Sequence, residues 1–114
     1  MKKNFTEQEI IQNYIELGAY MKILCSVSIT TSTAISNYFG KRNKLHKRIQ
    51  KLSDKIEQFR SDLEDEMPYT TMKTLCEERG IDPLDIFYGY SGKNEINKNQ
   101  KQMIYDKFIK KTLE

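Results

Sequence analysis

The sequence predicts an all-α fold: a small tri-helical helix-turn-helix head, a long heptad-patterned helix and short C-terminal helices. Three observations carry that prediction. Only two prolines and five glycines interrupt 114 residues, too few for a loop-rich or all-β chain. Apolar residues recur mostly at helical rather than alternating spacing. Hydrophobic residues make up only 38% of the chain and charged residues 31%, which suits a thin helical core completed by a second copy of itself.

At the N-terminus, Thr6 and Glu9 have the form of a capping box, and Ile10, Ile11, Tyr14, Ile15 and Leu17 follow on one helical face. The spacing predicts a first helix from about Glu7 to Leu17, ending near Gly18.

The stretch from Lys22 to Arg42 organises the rest of the reading. In it, Ile23, Cys25, Val27 and Ile29 alternate with Leu24, Ser26, Ser28 and Thr30, a pattern that also fits a strand. A lone strand would leave its ladder groups unpaired, and no partner strand is apparent. The preferred reading is therefore a helix over about Tyr20 to Ser28, a turn at Ile29 to Thr31, and a second helix over Ser32 to Phe39. Ala34, Ile35, Tyr38 and Phe39 would face inward in that second helix, with Thr33, Ser36, Asn37 and Lys41 outward.

The run TTSTAISNYFGKRNKL resembles the recognition helix and following turn of TetR-type helix-turn-helix regulators, with Tyr38, Phe39, Gly40, Arg42 and Leu45 in the family's places. AISNYFGKR is similar to the third helix of phage-repressor-like regulators. The match spans residues 22–45. The resemblance implies DNA contacts by Thr31, Ser32, Thr33, Ser36 and Asn37, with Arg42 toward phosphate. A full TetR regulator has a much larger ligand-binding domain than this chain can supply, so no ligand pocket is inferred from it.

From Lys41 the pattern changes. Leu45, Ile49, Leu52, Ile56, Phe59 and Leu63 are spaced 4, 3, 4, 3 and 4, a narrow apolar seam on a long helix that ends before Pro68. Such a seam needs one partner along its length, and a homodimer through these six residues is expected. Lys41, Arg42, Lys44, Lys47, Arg48 and Lys51 lie early in the helix, and Glu57, Asp62, Glu64, Asp65 and Glu66 lie late. An antiparallel copy would bring opposite charges together.

After Pro68 the sequence predicts a short helix from Tyr69 to Arg79, with Met72, Leu75 and Cys76 inward and Gly80 as its stop. Asp82 then caps a further turn with Pro83 at its first position, covering Leu84, Ile86 and Phe87. Gly89 to Asn99 reads as a joint, and Tyr69, Phe87, Tyr88 and Tyr90 read as core and edge aromatics, with a partner surface as the alternative for Tyr88 and Tyr90. A final helix over about Asn99 to Leu113 presents Met103, Ile104, Phe108 and Ile109. The implied segments are residues 1–42, 43–67 and 68–114.

Charge is distributed unevenly. Residues 1–55 carry ten Lys/Arg against four Asp/Glu, residues 56–92 three against nine, and residues 93–114 six against three. The basic N-terminal half points to a polyanion, here double-stranded DNA, with phosphate contacts by Lys41, Arg42, Lys44 and Lys47. The acidic middle offers a surface to another protein. Cys25 and Cys76 lack metal-ligand spacing and read as a reduced pair, and His46 stands among cations with no carboxylate or nucleophile beside it.

No cofactor, metal or catalytic constellation is expected, nor a signal peptide or membrane span. The chain reads as a cytoplasmic, non-enzymatic DNA-binding protein: a transcriptional regulator or a phage or plasmid accessory factor. The alternative is a helical protein-interaction module, an inhibitor or adaptor without sequence-specific DNA binding. Ser and Thr cap helices whatever the function, so a simple helix boundary stands beside the base-reading role.

Overall fold

A computed structural model describes residues 5–88 and 95–113. Every regular element among them is helical, so the all-α class is the one observed. Helix α1 spans Glu7–Phe39, α2 Lys44–Glu66 and α3 Tyr69–Arg79. A 3-10 turn covers Pro83–Ile86, and α4, Glu95–Ile104, runs on through a π-helical turn at Tyr105–Ile109 to Leu113.

The local start and stop signals act as the residues suggest. Glu9 donates its backbone N–H to Thr6 Oγ1 at 3.2 Å while Thr6 donates to Glu9 Oε1 at 3.2 Å, closing the capping box. Gly40 at φ 84 and Gly80 at φ 67 take the left-handed conformation that ends α1 and α3. Asn43 accepts from the Leu45 N–H at 2.8 Å to start α2. Asp82 accepts from Leu84 at 3.0 Å, ahead of Pro83.

The helix-turn-helix head is corrected. The turn expected at Ile29 to Thr31 lies inside α1, which runs unbroken for 33 residues. The hydroxyls that could have capped a corner bond back to their own helix: Ser28 Oγ donates to the Cys25 carbonyl at 2.9 Å and Thr33 Oγ1 to the Ile29 carbonyl at 3.1 Å. Without Gly or Pro between Ala19 and Phe39, nothing forces a break. Individual Ser, Thr, Val and Ile residues cost a helix at most about 0.7 kcal/mol each.

The expected stop at Gly18 is also corrected, because that residue lies mid-helix. A Cβ there would overlap the carbonyl of Ile86, so glycine allows close approach of the Pro83–Ile86 turn rather than ending a helix. The last helix starts at Glu95, which removes the second half of the expected joint. Gly89 and Tyr90 lie outside the described residues.

The chain divides into two compact units, Met1–Tyr20 with Glu66–Glu114, and Met21–Asp65. The division at Asp65 lies two residues from the expected 67/68 boundary, and α1 contributes to both units. The first unit has a mixed helical core of Ile11, Tyr14, Ile15, Ala19, Met67, Met72, Leu75, Cys76, Ile86, Phe87 and Ile104. Tyr14 and Phe87 meet edge to face at 6.5 Å, and the Tyr14 hydroxyl donates to the Glu66 carbonyl at 3.1 Å. Gln100, itself buried, donates to the carbonyls of Ile15 and Ile86 at 2.9 Å each, tying α4 to α1 and the 3-10 turn. Leu84 and Tyr69, expected as core or edge residues, are exposed.

The second unit is an antiparallel helical hairpin, made of the C-terminal part of α1 and nearly all of α2, joined at residues 40–43. Ser28 Oγ and Ser53 Oγ lie 3.2 Å apart across it. Level with that contact, the register sets Ser32 against Ile49 and Cys25 against Ile56.

Candidate interaction surface

The inward stripe of α1 in the hairpin is Met21, Cys25, Ser28, Ser32 and Ile35, at spacings of 4, 3, 4 and 3. All five are buried or half-buried. The facing stripe of α2 comprises His46, Ile49, Ser53, Ile56, Arg60 and Leu63. Small and hydroxylated side chains dominate the middle of this seam. Such residues allow the helices to approach closely but bury little apolar area.

Large apolar side chains also stand outside the seam: Ile23, Leu24, Val27, Ile29, Tyr38 and Phe39 on α1 and Leu45, Leu52 and Phe59 on α2 are exposed. On α1, Leu24, Val27, Thr31, Ala34 and Tyr38 recur at spacings of 3, 4, 3 and 4, and all are exposed. On α2, Leu45, Leu52 and Phe59 recur every seven residues and are exposed as well. Leu24 is 46%, Leu52 51%, Phe59 54% and Tyr38 84% accessible. At 3.6 residues per turn each row is rotated by roughly 60–100° from its own inward stripe, in the same sense along the chain. In antiparallel helices equal rotation brings both rows to the same side of the hairpin, where they form one apolar face.

This division changes the predicted oligomerisation seam. Ile49, Ile56 and Leu63 are half-buried on or beside the inner side toward α1, whereas Leu45, Leu52 and Phe59 are exposed. The 3.5-residue period is thus two rows, one turned toward α1 and one exposed. The α1 row could have been found from its own 3-4-3-4 spacing, which the alternation of Ile23 to Thr30 obscured.

The predicted DNA-contact residues are placed as follows. Thr31, Thr33 and Asn37 are exposed, while Ser32 and Ser36 are half-buried. Tyr38 and Phe39, expected inside, are exposed. Lys41, Arg42, Lys44 and Lys47 are all exposed around the hairpin tip, with Arg48 and Lys51 on the next turns of α2. The opposite end of α2 carries exposed Glu57, Asp62 and Asp65 and half-buried Glu64.

No family model, curated protein or solved structure matches this chain.

Elsewhere, in the first unit, Lys107 Nζ donates to Glu16 Oε1 and to the Tyr20 hydroxyl, each at 2.9 Å, and the Tyr20 hydroxyl donates to Glu16 Oε1. The Tyr20 hydroxyl and the Lys107 ammonium hold the Glu16 carboxyl below the usual carboxylate range. The same tyrosine and carboxylate hold Lys107 above the usual lysine range. The cluster borders an open groove of about 380 Å³ shared with Met103 and Asp106. Sequence inspection missed this cluster, whose members lie 87 and 91 residues apart. It fastens the last helix to α1: Tyr20 also meets Phe108 edge to face at 5.8 Å.

Burial raises the thiol pKa of both Cys25 and Cys76, so neither is an activated nucleophile. Among the described residues no cluster of His, Cys, Asp and Glu could hold a metal ion, and no helix is long and apolar enough to cross a membrane.

Proposed function

We propose that the chain is a helical protein-interaction module that acts by binding, through the apolar face of the Met21–Asp65 hairpin. The observation that carries this reading is the row of large exposed side chains Leu24, Val27, Tyr38, Leu45, Leu52 and Phe59 on one side of the hairpin, with exposed Ile29 and Phe39 lying off that row. Contiguous apolar patches of several hundred Å² on one side of a helical element mark contact surfaces, whereas scattered exposed leucines do not. The face is elongated and flanked by charge, as a helix-recognising surface is.

The test replaces Leu52 by photoreactive benzoylphenylalanine in the expressed protein. Discrete protein adducts on irradiation are the expected result, and their absence under conditions where a control cross-linker reacts would overturn the reading. A Leu24→Ser, Leu52→Ser, Phe59→Ser variant provides the control for folding. Its helicity and melting temperature should match those of the parent when both are monomeric, because a contact face contributes little to the isolated fold.

A second reading, DNA binding, rests on one observation: the exposed lysines and arginines around the hairpin tip, Lys41 to Lys51. With Ile29 to Thr31 inside a helix, the corner that would lay a short recognition helix in the major groove is missing. Phosphate contact by the tip is the form of DNA binding that remains proposed. If four to six contacts form, log K should fall with log salt at a slope of about −4 to −5, with no preference among duplex sequences. A salt-independent affinity would remove this reading.

A further inference from the structure

The hairpin has a weak seam of its own and a stronger apolar row beside it. From this arrangement we infer that the occupant of the apolar face is a second copy of the same hairpin, laid antiparallel so that two hairpins close a four-helix bundle. The inference rests on the protein-interaction reading and names its partner.

Three features select a copy. The face is self-matching in length: the α1 row runs from Leu24 to Tyr38 and the α2 row from Leu45 to Phe59, centred on Thr31 and Leu52. Those centres lie at nearly the same level in the register fixed by Ser28 and Ser53. A two-fold axis near that level therefore sets each row against the corresponding row of a copy, the self-complementary condition of an isologous interface.

The area is also adequate. Six large side chains, each about half exposed or more, leave roughly 600 Å² per copy, so that a pair covers on the order of 1,200 Å², the lower bound for a specific association. A bundle so formed has an apolar centre, whereas the middle of the hairpin's own seam sets Cys25, Ser28, Ser32 and Ser53 beside Ile49 and Ile56.

Charge fixes the direction. The tip carries Lys41, Arg42, Lys44, Lys47 and Arg48, and the far end of α2 carries Glu57, Asp62, Glu64 and Asp65. A parallel copy would set tip on tip and acid on acid. With the axis near Leu52, an antiparallel copy brings Arg42 level with Asp62 and Lys47 level with Glu57. Opposite charge at both ends then favours this direction and opposes the other.

Sedimentation equilibrium of the full chain tests the inference. A concentration-dependent dimer is expected, together with a monomer for Leu24→Ser, Leu52→Ser, Phe59→Ser and for the milder single variant Leu52→Ser at matched helicity. Reversing the tip with Arg42→Glu and Lys47→Glu should weaken self-association about tenfold. Mixing that variant with one carrying Glu57→Lys and Asp62→Lys should restore a heterodimer.

A parental chain that stays monomeric at about 200 μM would overturn the inference. So would a dimer indifferent to Leu52→Ser, or one whose strength is unchanged by tip reversal. A monomeric parent that still gives discrete photo-adducts from position 52 to another protein would leave the interaction reading standing with a different partner. A monomeric parent whose melting temperature falls sharply with the serine substitutions would mean that the face is interior, and both readings would fall together.

Discussion

The two units use one helix in opposite ways. Residues Glu7 to Tyr20 of α1 bury Ile11, Tyr14, Ile15 and Ala19 in a core closed by α3, the 3-10 turn and α4, with Gln100 and Tyr14 satisfying carbonyls inside it. Residues Met21 to Phe39 bury mainly Met21, Cys25 and Ser28 against one neighbour and leave Ile23, Leu24, Val27, Ile29, Tyr38 and Phe39 in solvent. Among the described residues the first unit buries eleven apolar side chains while leaving Leu17, Tyr69, Leu84, Tyr105, Phe108 and Ile109 exposed, whereas of its apolar side chains the hairpin fully buries only Met21 and Cys25. Burial of a large apolar side chain is worth about 1.5–3 kcal/mol and burial of a serine far less. Local stability should therefore be high in the first unit and low in the isolated hairpin.

The largest expected effect breaks the first unit alone. Gly18→Val places a branched side chain against the Ile86 carbonyl, and backbone cannot yield as a flexible side chain would. A loss of about 3 kcal/mol or more is expected in urea unfolding. If α1 is instead free to slide past the turn, the midpoint will barely move and the close approach is incidental.

Next in size, Gln100→Met keeps side-chain volume but removes two hydrogen bonds to buried carbonyls. It should cost about 2 kcal/mol. An unchanged melting curve would show that these carbonyls are satisfied by their own helices.

The two thiols sharpen the comparison without altering the fold much. Cys76 lies in the core of the first unit and Cys25 in the hairpin seam, both buried. Under native conditions Cys25 should be alkylated at least about tenfold faster than Cys76, equivalent to a difference of roughly 1.4 kcal/mol in opening free energy. Its protection should also rise with protein concentration if hairpins pair, and that of Cys76 should not. Equal rates would erase the distinction between the units.

The smallest effect concerns the exposed cluster of Glu16, Tyr20 and Lys107. Because the folded Glu16 pKa is lowered, its stabilising contribution is present above the ordinary carboxylate value and is lost as pH falls through the folded value. The raised folded pKa of Lys107 has the opposite sense: its contribution is present below the ordinary lysine value and lost as pH rises through the folded one. Solvent screening keeps both small. Glu16→Gln should flatten the acid limb of a melting-temperature profile slightly, and an unaltered limb would show that another carboxylate sets it.

Much of the local grammar was legible. Thr6 with Glu9, Gly40, Pro68, Gly80 and Asp82 with Pro83 each act within about four residues of themselves, so their chemistry is readable without knowing the neighbours. The buried set of α3, Met72, Leu75 and Cys76, followed from helical spacing alone. Misreading began where a residue type serves two purposes. Ser and Thr cap helix ends and also bond back to a helix carbonyl, and Ser28 and Thr33 do the second. Glycine ends helices and also admits close neighbours, and Gly18 does the second.

The sequence by itself determined the helical class, most helix ends and the separation of a basic from an acidic block, because these depend on local hydrogen bonding and on composition. Only the tertiary structure decided that α1 continues past Gly18 and Ile29. The approach of Ile86 accounts for the first and the Ser28 and Ser53 contact supports the second. It also decided which apolar rows face inward. A heptad pattern fixes the spacing of a helix's contacts, but which side of each row meets a neighbour depends on where that neighbour packs. That choice leaves Leu24, Val27, Tyr38, Leu45, Leu52 and Phe59 together on one face of the hairpin.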